Sequence, residues 1–304
     1  MQETASTVAE EFEARSRRSF SARALGTIRK FCARKPLGAI GFALLMLMIF
    51  SALAAPLVAT HDPNEQSIKE RLDPSSMDHW FGTDQFGRDL FSRVVYGGRV
   101  SLRVAFQAVI VAKVFGLVLG LVSGYFGGKT DLIIQRIVDI QMAFPRLILT
   151  LAIVAMFSPS LNNVAWAIAI GTIPSTIRVI RAQALSVKEM DYVEAARALG
   201  ASPSRIMAFH ILPQCWAPLI IIASASLGAA ILTETSLSFL GLGVPPPAPT
   251  WGGMLSGASQ QYMERAPWLV IWPGVAISVI VFGFNLFGDA LRDVLDPRLR
   301  GSQG

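Results

Sequence analysis

The chain has 304 residues, 52% of them hydrophobic and only 16% charged, with a mean hydropathy of +0.49. Apolar runs of about 20 residues, the length that crosses a bilayer as a helix, exclude an ordinary soluble domain. The net charge of +6 and pI near 9.7 fit the basic cytoplasmic face of a membrane protein rather than a nucleic-acid partner. Cys32 and Cys215, the two cysteines, show neither metal-ligand spacing nor a disulfide framework.

Residues 1–36 are polar, with Glu3, Glu10, Glu11 and Glu13 ahead of basic residues from Arg15 to Lys35, and read as a cytoplasmic segment. The first transmembrane helix is predicted over 37–60. Its apolar run, 37–58, exceeds the about 7–15 residues of a signal-peptide core and starts further from the N-terminus. Residues 61–100 are too polar for hydrocarbon and form an external loop. A second span covers 101–126, with Lys113 in its middle, either snorkelling or facing protein. Gly127 to Asp131 turn the chain into a third span, which Arg136, Asp139 and Arg146 interrupt and which is most apolar over 147–157. Arg136 and Asp139 are expected to pair. The fourth span, 162–180, contains Pro174, which is expected to kink it while neighbouring helices satisfy the freed carbonyl. After a cytoplasmic loop over 184–213 come the fifth span, 216–242, and the sixth, 267–287. These five spans make a core over 101–290, and 291–304 is a basic tail.

Six spans place both termini on one side. Lys and Arg near the span ends lie in the N-terminal segment, the 184–213 loop and the tail, whereas the 61–100 loop is rich in acids. The positive-inside rule therefore puts both termini and the 184–213 loop in the cytoplasm.

That loop is predicted to hold two short helices. Glu194 to Leu199 are good helix formers and Gly200 is a natural stop; Ser202 is an N-cap with Pro203 at the first helical position. Ile206, Met207 and Phe209 share one side. Such a unit suits docking into a partner's groove, and equally suits an amphipathic loop lying on the lipid surface.

Glu194-Ala195-Ala196, then Gly200, then Leu212-Pro213 resemble the EAA loop of ABC importer permeases. Where the family pattern favours Ile two residues before the Leu-Pro pair, this chain has His210 followed by Ile211. The segment 80–93, with Trp80, Gly82, Asp84, Gly87, Arg88, Asp89 and Arg93, is similar to the one after the first span in C-type permeases of dipeptide, oligopeptide and nickel importers. So are Ser236 to Gly243 with Pro245 to Pro247 and Trp251-Gly252, and Asp296 to Arg300. The resemblance covers about residues 37–300.

The resemblance implies an all-α membrane protein with six transmembrane helices, the type I ABC importer permease fold and a cytoplasmic EAA coupling loop. It implies that Glu194, Ala195, Ala196, Arg197, Gly200, Ser202 and Arg205 couple the chain to ATPase subunits. The implied partners are a second homologous permease, two ABC ATPases that hold ATP and Mg, an external substrate-binding protein and membrane lipid, in a bacterial or archaeal cytoplasmic membrane. No cofactor or metal is expected in this chain. Di- or oligopeptides are the expected cargo, with nickel chelates or another small solute of the same family left open. An ATP-independent secondary transporter is the rival class, against which the EAA loop argues.

No Gly-x-x-x-x-Gly-Lys-Ser/Thr phosphate loop, Gly-x-Ser-x-Gly elbow or His-Glu-x-x-His is present, so neither an ATPase nor a common hydrolase signal is found. Asp84, Arg88, Asp89 and Arg93 are expected to pair and fix the external loop; His79 alone is a poor metal ligand. Glu234, inside the fifth span, either lines the translocation path or packs through hydrogen bonds with Thr233, Thr235 or Ser238.

Overall fold

The computed structural model of the chain describes residues 35–256 and 261–295. Most of the N-terminal segment, Cys32 and the Asp296 to Arg300 motif lie outside the described residues. Helix α1 (Pro36–Leu53) starts with proline at its first position, where the missing N–H costs nothing. Its apolar residues lie all round, so Leu37, Leu47 and Phe50 remain exposed while Leu45 and Ala52 are buried. A Cβ on its Gly41 would lie 2.7 Å from Leu286 Cβ, so α1 is seated tightly on the last helix. A single turn, α2 (Ala55–Val58), follows.

Helix α3 (Leu90–Phe126) begins eleven residues before the predicted second span, so the last part of the 61–100 segment is helical rather than loop. The physical reason is its cap: Asp89 Oδ2 accepts from Ser92 N at 2.7 Å. Gly127, at φ 64°, ends the helix 37 residues later. The predicted third span is broken. Helices α4 (Gly128–Met142) and α5 (Arg146–Met156) meet at 91° across Pro145. Asp139 on α4 accepts from Arg178 at 2.8 Å, so the expected Arg136–Asp139 pair is replaced by a link to the next helix.

Helix α6 (Leu161–Lys188) is capped by Ser160, whose Oγ accepts from Asn163 N at 3.1 Å. Pro174 lies within it and deprives Ile170 O of its helical donor. Gln141 Nε2 of α4 donates to that carbonyl at 2.7 Å, so a neighbouring helix satisfies the freed group as expected. Helices α7 (Asp191–Ala198) and α8 (Pro203–Ile206) and a wide turn over Met207–Ile211 lead into α9 (Leu212–Phe239). The short α10 (Trp251–Leu255) lies at the end of the bundle where α3 begins, and α11 (Trp268–Leu295) closes it. Among the described residues, five helices are long and apolar enough to cross a membrane, or six when the bent α4–α5 pair counts as one.

The most extensive helix contact among the described residues is between α3 and α6. Gly116, Gly120 and Gly124 form a small-residue seam at four-residue spacing. A Cβ at Gly120 would sit 2.8 Å from Ile180 Cβ, and one at Gly124 2.7 Å from Ala184 Cβ. Lys113 stands one turn above the seam, only 6% exposed. Its ammonium donates to Thr176 Oγ1 of α6 at 3.0 Å and Ser226 Oγ of α9 at 2.8 Å, so it faces protein and ties three spans together.

Outside the bundle, the loop before α3 is held by a charged knot. Asp84 is 4% exposed and accepts from Phe86 N, Arg88 N and Arg88 Nε at 2.7–3.0 Å, with Arg93 Nε at 3.5 Å. Arg93 also donates to Pro63 O at 2.7 Å. Trp268 Nε1 donates to Thr83 O and Trp251 Nε1 to Val94 O, so the ends of α11 and α10 are stitched to the same loop and helix. The expected pairing thus holds for Asp84, Arg88 and Arg93; Asp89 instead caps α3 and meets His79 Nδ1 at 2.9 Å.

Candidate functional site

The helix pair α7–α8 has an inner and an outer side. Val193, Ile206 and Ile211 are fully buried and join Leu121 of α3, Ile180, Ala184 and Val187 of α6, and Cys215 and Leu219 of α9 in one apolar cluster. The pair is therefore fixed to the ends of three long helices rather than hung on a loose loop. Its turn is made by the sequence itself. Gly200 adopts φ 81°, a left-handed conformation that side-chain-bearing residues resist. Ala201 N donates to Ala196 O and Gly200 N to Arg197 O, both at 3.0 Å. This 6→1 and 5→2 pair is a Schellman motif, which satisfies the last carbonyls of α7. Ser202 Oγ then accepts from Arg205 N at 3.4 Å and Pro203 opens α8.

The outer side carries the residues singled out from the resemblance. Glu194, Ala195, Arg197, Gly200, Ser202 and Arg205 are exposed, and Ala196 is half-buried. Leu199, at the turn, is 89% exposed and Phe209 73%. The Arg205 guanidinium lies 5.9 Å from the Phe209 ring centre. Tyr192 stacks on His210 with ring centres 6.4 Å apart, and His210 Nδ1 is buried without a hydrogen-bond partner in this structure. This is an apolar knob ringed by charges, a surface that suits a partner's groove or the lipid surface.

Glu234 is 0% exposed, on α9 near its outer end. Its Oε1 accepts from Ser238 Oγ at 2.7 Å, whereas its Oε2 and the Ser101 hydroxyl of α3 are buried without a hydrogen-bond partner in this structure. The side chain is enclosed by its own chain, with one of the predicted hydrogen-bond partners in place. Lys113 is the buried intramembrane cation whose two hydroxyl partners the sequence did not disclose. They come from helices 63 and 113 residues away.

A bundle of five or six candidate spans is the architecture of a multi-pass membrane protein. The family model described as "Binding-protein-dependent transport system inner membrane component" matches residues 116–301, and the chain belongs to that family. Residues 27–74 match the N-terminal TM domain of oligopeptide transport permease C. The dipeptide transport system permease protein DppC of Alkalihalophilus pseudofirmus is 45% identical over 267 residues, 88% of each chain. The probable D,D-dipeptide transport system permease protein DdpC of Escherichia coli is 43% identical over 268 residues, 88% of this chain and 90% of that one. Among solved structures, the inward-facing MetNI methionine ABC transporter matches with a TM-score of 0.54 at 20% identity, covering 67% of this chain and 96% of that one. That likeness is one of fold.

Proposed function

We propose that this chain forms half of the translocation pathway of an ATP-driven importer of di- or oligopeptides, paired with a homologous permease. Two ABC ATPases dock on the α7–α8 face and a substrate-binding protein delivers cargo outside. One observation carries the coupling role: α7–α8 is anchored on its inner face by Val193, Ile206 and Ile211 while Glu194, Ala195 and Arg197 face outward. A push on the outer face is thus passed to α3, α6 and α9 together. The peptide cargo rests on the relatives named for dipeptides and for di- and tripeptides, at 43–45% identity. A relative in Pectobacterium atrosepticum named for glutathione transport, 42% identical, favours a second cargo of the same chemistry, a modified tripeptide.

In this reading the chain holds no nucleotide and performs no bond chemistry; ATP and Mg belong to the partners. Both termini face the cytoplasm in this reading, which the distribution of Lys and Arg supports. Closure of the ATPases moves the helix ends, and the pathway alternates between its two openings by rigid rocking of the paired bundles.

The test is purification of the tagged chain from its own membrane in mild detergent, with Ala195→Trp as the variant. Ala195 is exposed, so the bulky side chain meets a partner and not the chain's own core. Recovery of a second permease and ATPases with the wild type, and loss of the ATPases alone with Ala195→Trp, supports the assignment. A wild-type chain that runs alone in several gentle detergents overturns it.

A further inference from the structure

His61 and His79, two of the chain's three histidines, lie in the external loop, and the fold brings them together over the cap of α3. Their ring centres are 4.7 Å apart. Asp89 Oδ1 lies 2.9 Å from His79 Nδ1 and 4.0 Å from His61 Nδ1. One ligand atom from each of the three residues fits within 4.8 Å of the others. His79 and Asp89 are buried, at 8% and 2% exposure, whereas the His61 side chain is 36% exposed. Two donors are thus buried in the protein and the third stands at its surface.

The backbone around all three is held in place. His61 N donates to Ser92 Oγ at 3.0 Å, and Ser92 N to Asp89 Oδ2 at 2.7 Å. His79 N donates to Ser76 Oγ at 3.0 Å, while His79 O accepts from both Ser76 N and Gly82 N at 2.9 Å. Beside the cluster opens a cavity of about 420 Å³, bordered further by Asp62, Glu65, Glu70 and Asp78. No lysine or arginine is among the residues lining it. Such a concentration of carboxylates raises the local concentration of cations.

We propose that His61, His79 and Asp89 form an external site for a divalent transition-metal ion, with Zn²⁺ as its representative. Two imidazole nitrogens and one carboxylate oxygen suit this class, whereas Mg²⁺ and Ca²⁺ take oxygen sets. Metal–ligand bonds of roughly 2.0–2.2 Å put neighbouring donors of a tetrahedral ion about 3.3–3.5 Å apart. The His61–Asp89 spacing therefore closes by about half an ångström on binding, and the His79–Asp89 spacing opens by about as much. Both changes are within reach of small side-chain rotations. Glu70 Oε2 lies 3.9 Å from His79 Nε2, the nitrogen left over when Nδ1 binds the ion. A shift of about an ångström brings it within hydrogen-bond reach of that N–H, where it would orient the ring. Occupancy ties the chain just after α2 to the first turn of α3, adding a crosslink to the external knot.

The experiment uses the full chain carrying a tag without histidine, in detergent, stripped with a chelator. ZnCl₂ is titrated by calorimetry with MgCl₂ as the control, and bound metal is counted after gel filtration. The expected result is one saturable Zn²⁺ per chain, a rise in Tm with Zn²⁺ but not Mg²⁺, and at least tenfold weaker binding in His61→Ala. Because His61 is at the surface, that variant keeps the wild-type Tm in chelator. His79→Asn weakens binding likewise, and Glu70→Gln weakens it less. Absence of saturable Zn²⁺ binding, or equal affinity in wild type, His61→Ala and His79→Asn, overturns the site. The readout needs no transport, so it stands apart from the importer reading.

Discussion

Gly200 offers a clean perturbation, because its geometry separates backbone conformation from space. Its φ is 81°, and a Cβ added there would meet nothing within 4 Å. A substitution therefore costs only what the left-handed conformation costs, about 1–2 kcal/mol for a residue with a Cβ. Asn tolerates that region and is expected to behave nearly as glycine does; Ala falls at the lower end of the range, and the β-branched Val at or above the upper end. Proline is worse still, since its fixed φ cannot reach 81° and it deletes the N–H bonded to Arg197 O. A loss of 1–2 kcal/mol multiplies the opened population of the turn about 5–30-fold. Native-state hydrogen exchange over 196–204 reads this directly, through the two amides of the Schellman motif, and peptide uptake reads its consequence. The expected order of exchange is glycine and Asn slowest, then Ala, then Val. If Asn were as damaging as Val, the reasoning would fail, because glycine would then be needed for close approach of a partner and not for its backbone.

Other substitutions test the remaining joints. Gly120→Ala puts a methyl 2.8 Å from Ile180 Cβ and 3.0 Å from Ile177 O, and is expected to cost about 1–3 kcal/mol by overpacking, seen as a lower Tm in detergent. Asp84→Ala strands Arg88 and Arg93, whose side chains are only 12% and 9% exposed. A loss of about 3–5 kcal/mol is expected, read as early proteolysis of the external loop. Glu234→Gln retains an acceptor for Ser238 and is expected to leave Tm and uptake unchanged. Glu234→Ala removes that acceptor at a cost of about 1–3 kcal/mol. A change of substrate preference in Glu234→Gln would show instead that this side chain meets cargo.

What the sequence disclosed was set by range. Hydropathy over about 20 residues located the spans, and local turn chemistry located the helix stop at Gly200 and the start at Ser202, because each depends only on near neighbours. The start of α3 is hidden from a hydropathy window because 90–100 carries Arg93 and Arg99, and the helix begins instead from its Asp89 cap. The Asp139 partner was misjudged because proximity in sequence pointed to Arg136, whereas the 91° break in the third span turns Asp139 toward Arg178. His79 read as a lone imidazole since nothing in its own segment reports that the chain after α2 returns over the α3 cap. The one available signal was that two of three histidines share a single loop.

Helix α3 touches each of these separate features. At 37 residues it is about 55 Å long, against a hydrocarbon core of about 30 Å, so it reaches well beyond the bilayer. Arg93 holds its first turn within the charged knot, and Leu121 places its other end in the apolar cluster beneath α7–α8. Between them the glycine seam leaves no slack against α6, and Lys113 links α6 and α9 to the same helix. Close-packed interfaces of this kind shift as bodies and do not deform continuously. In the proposed importer, a displacement imposed on Val193 and Ile206 would therefore arrive at the 61–89 loop as motion of the whole α3–α6 pair. The glycine seam has a distinct role in that transfer: loosening it at Gly120 should weaken the link between the two faces even where each face alone remains folded.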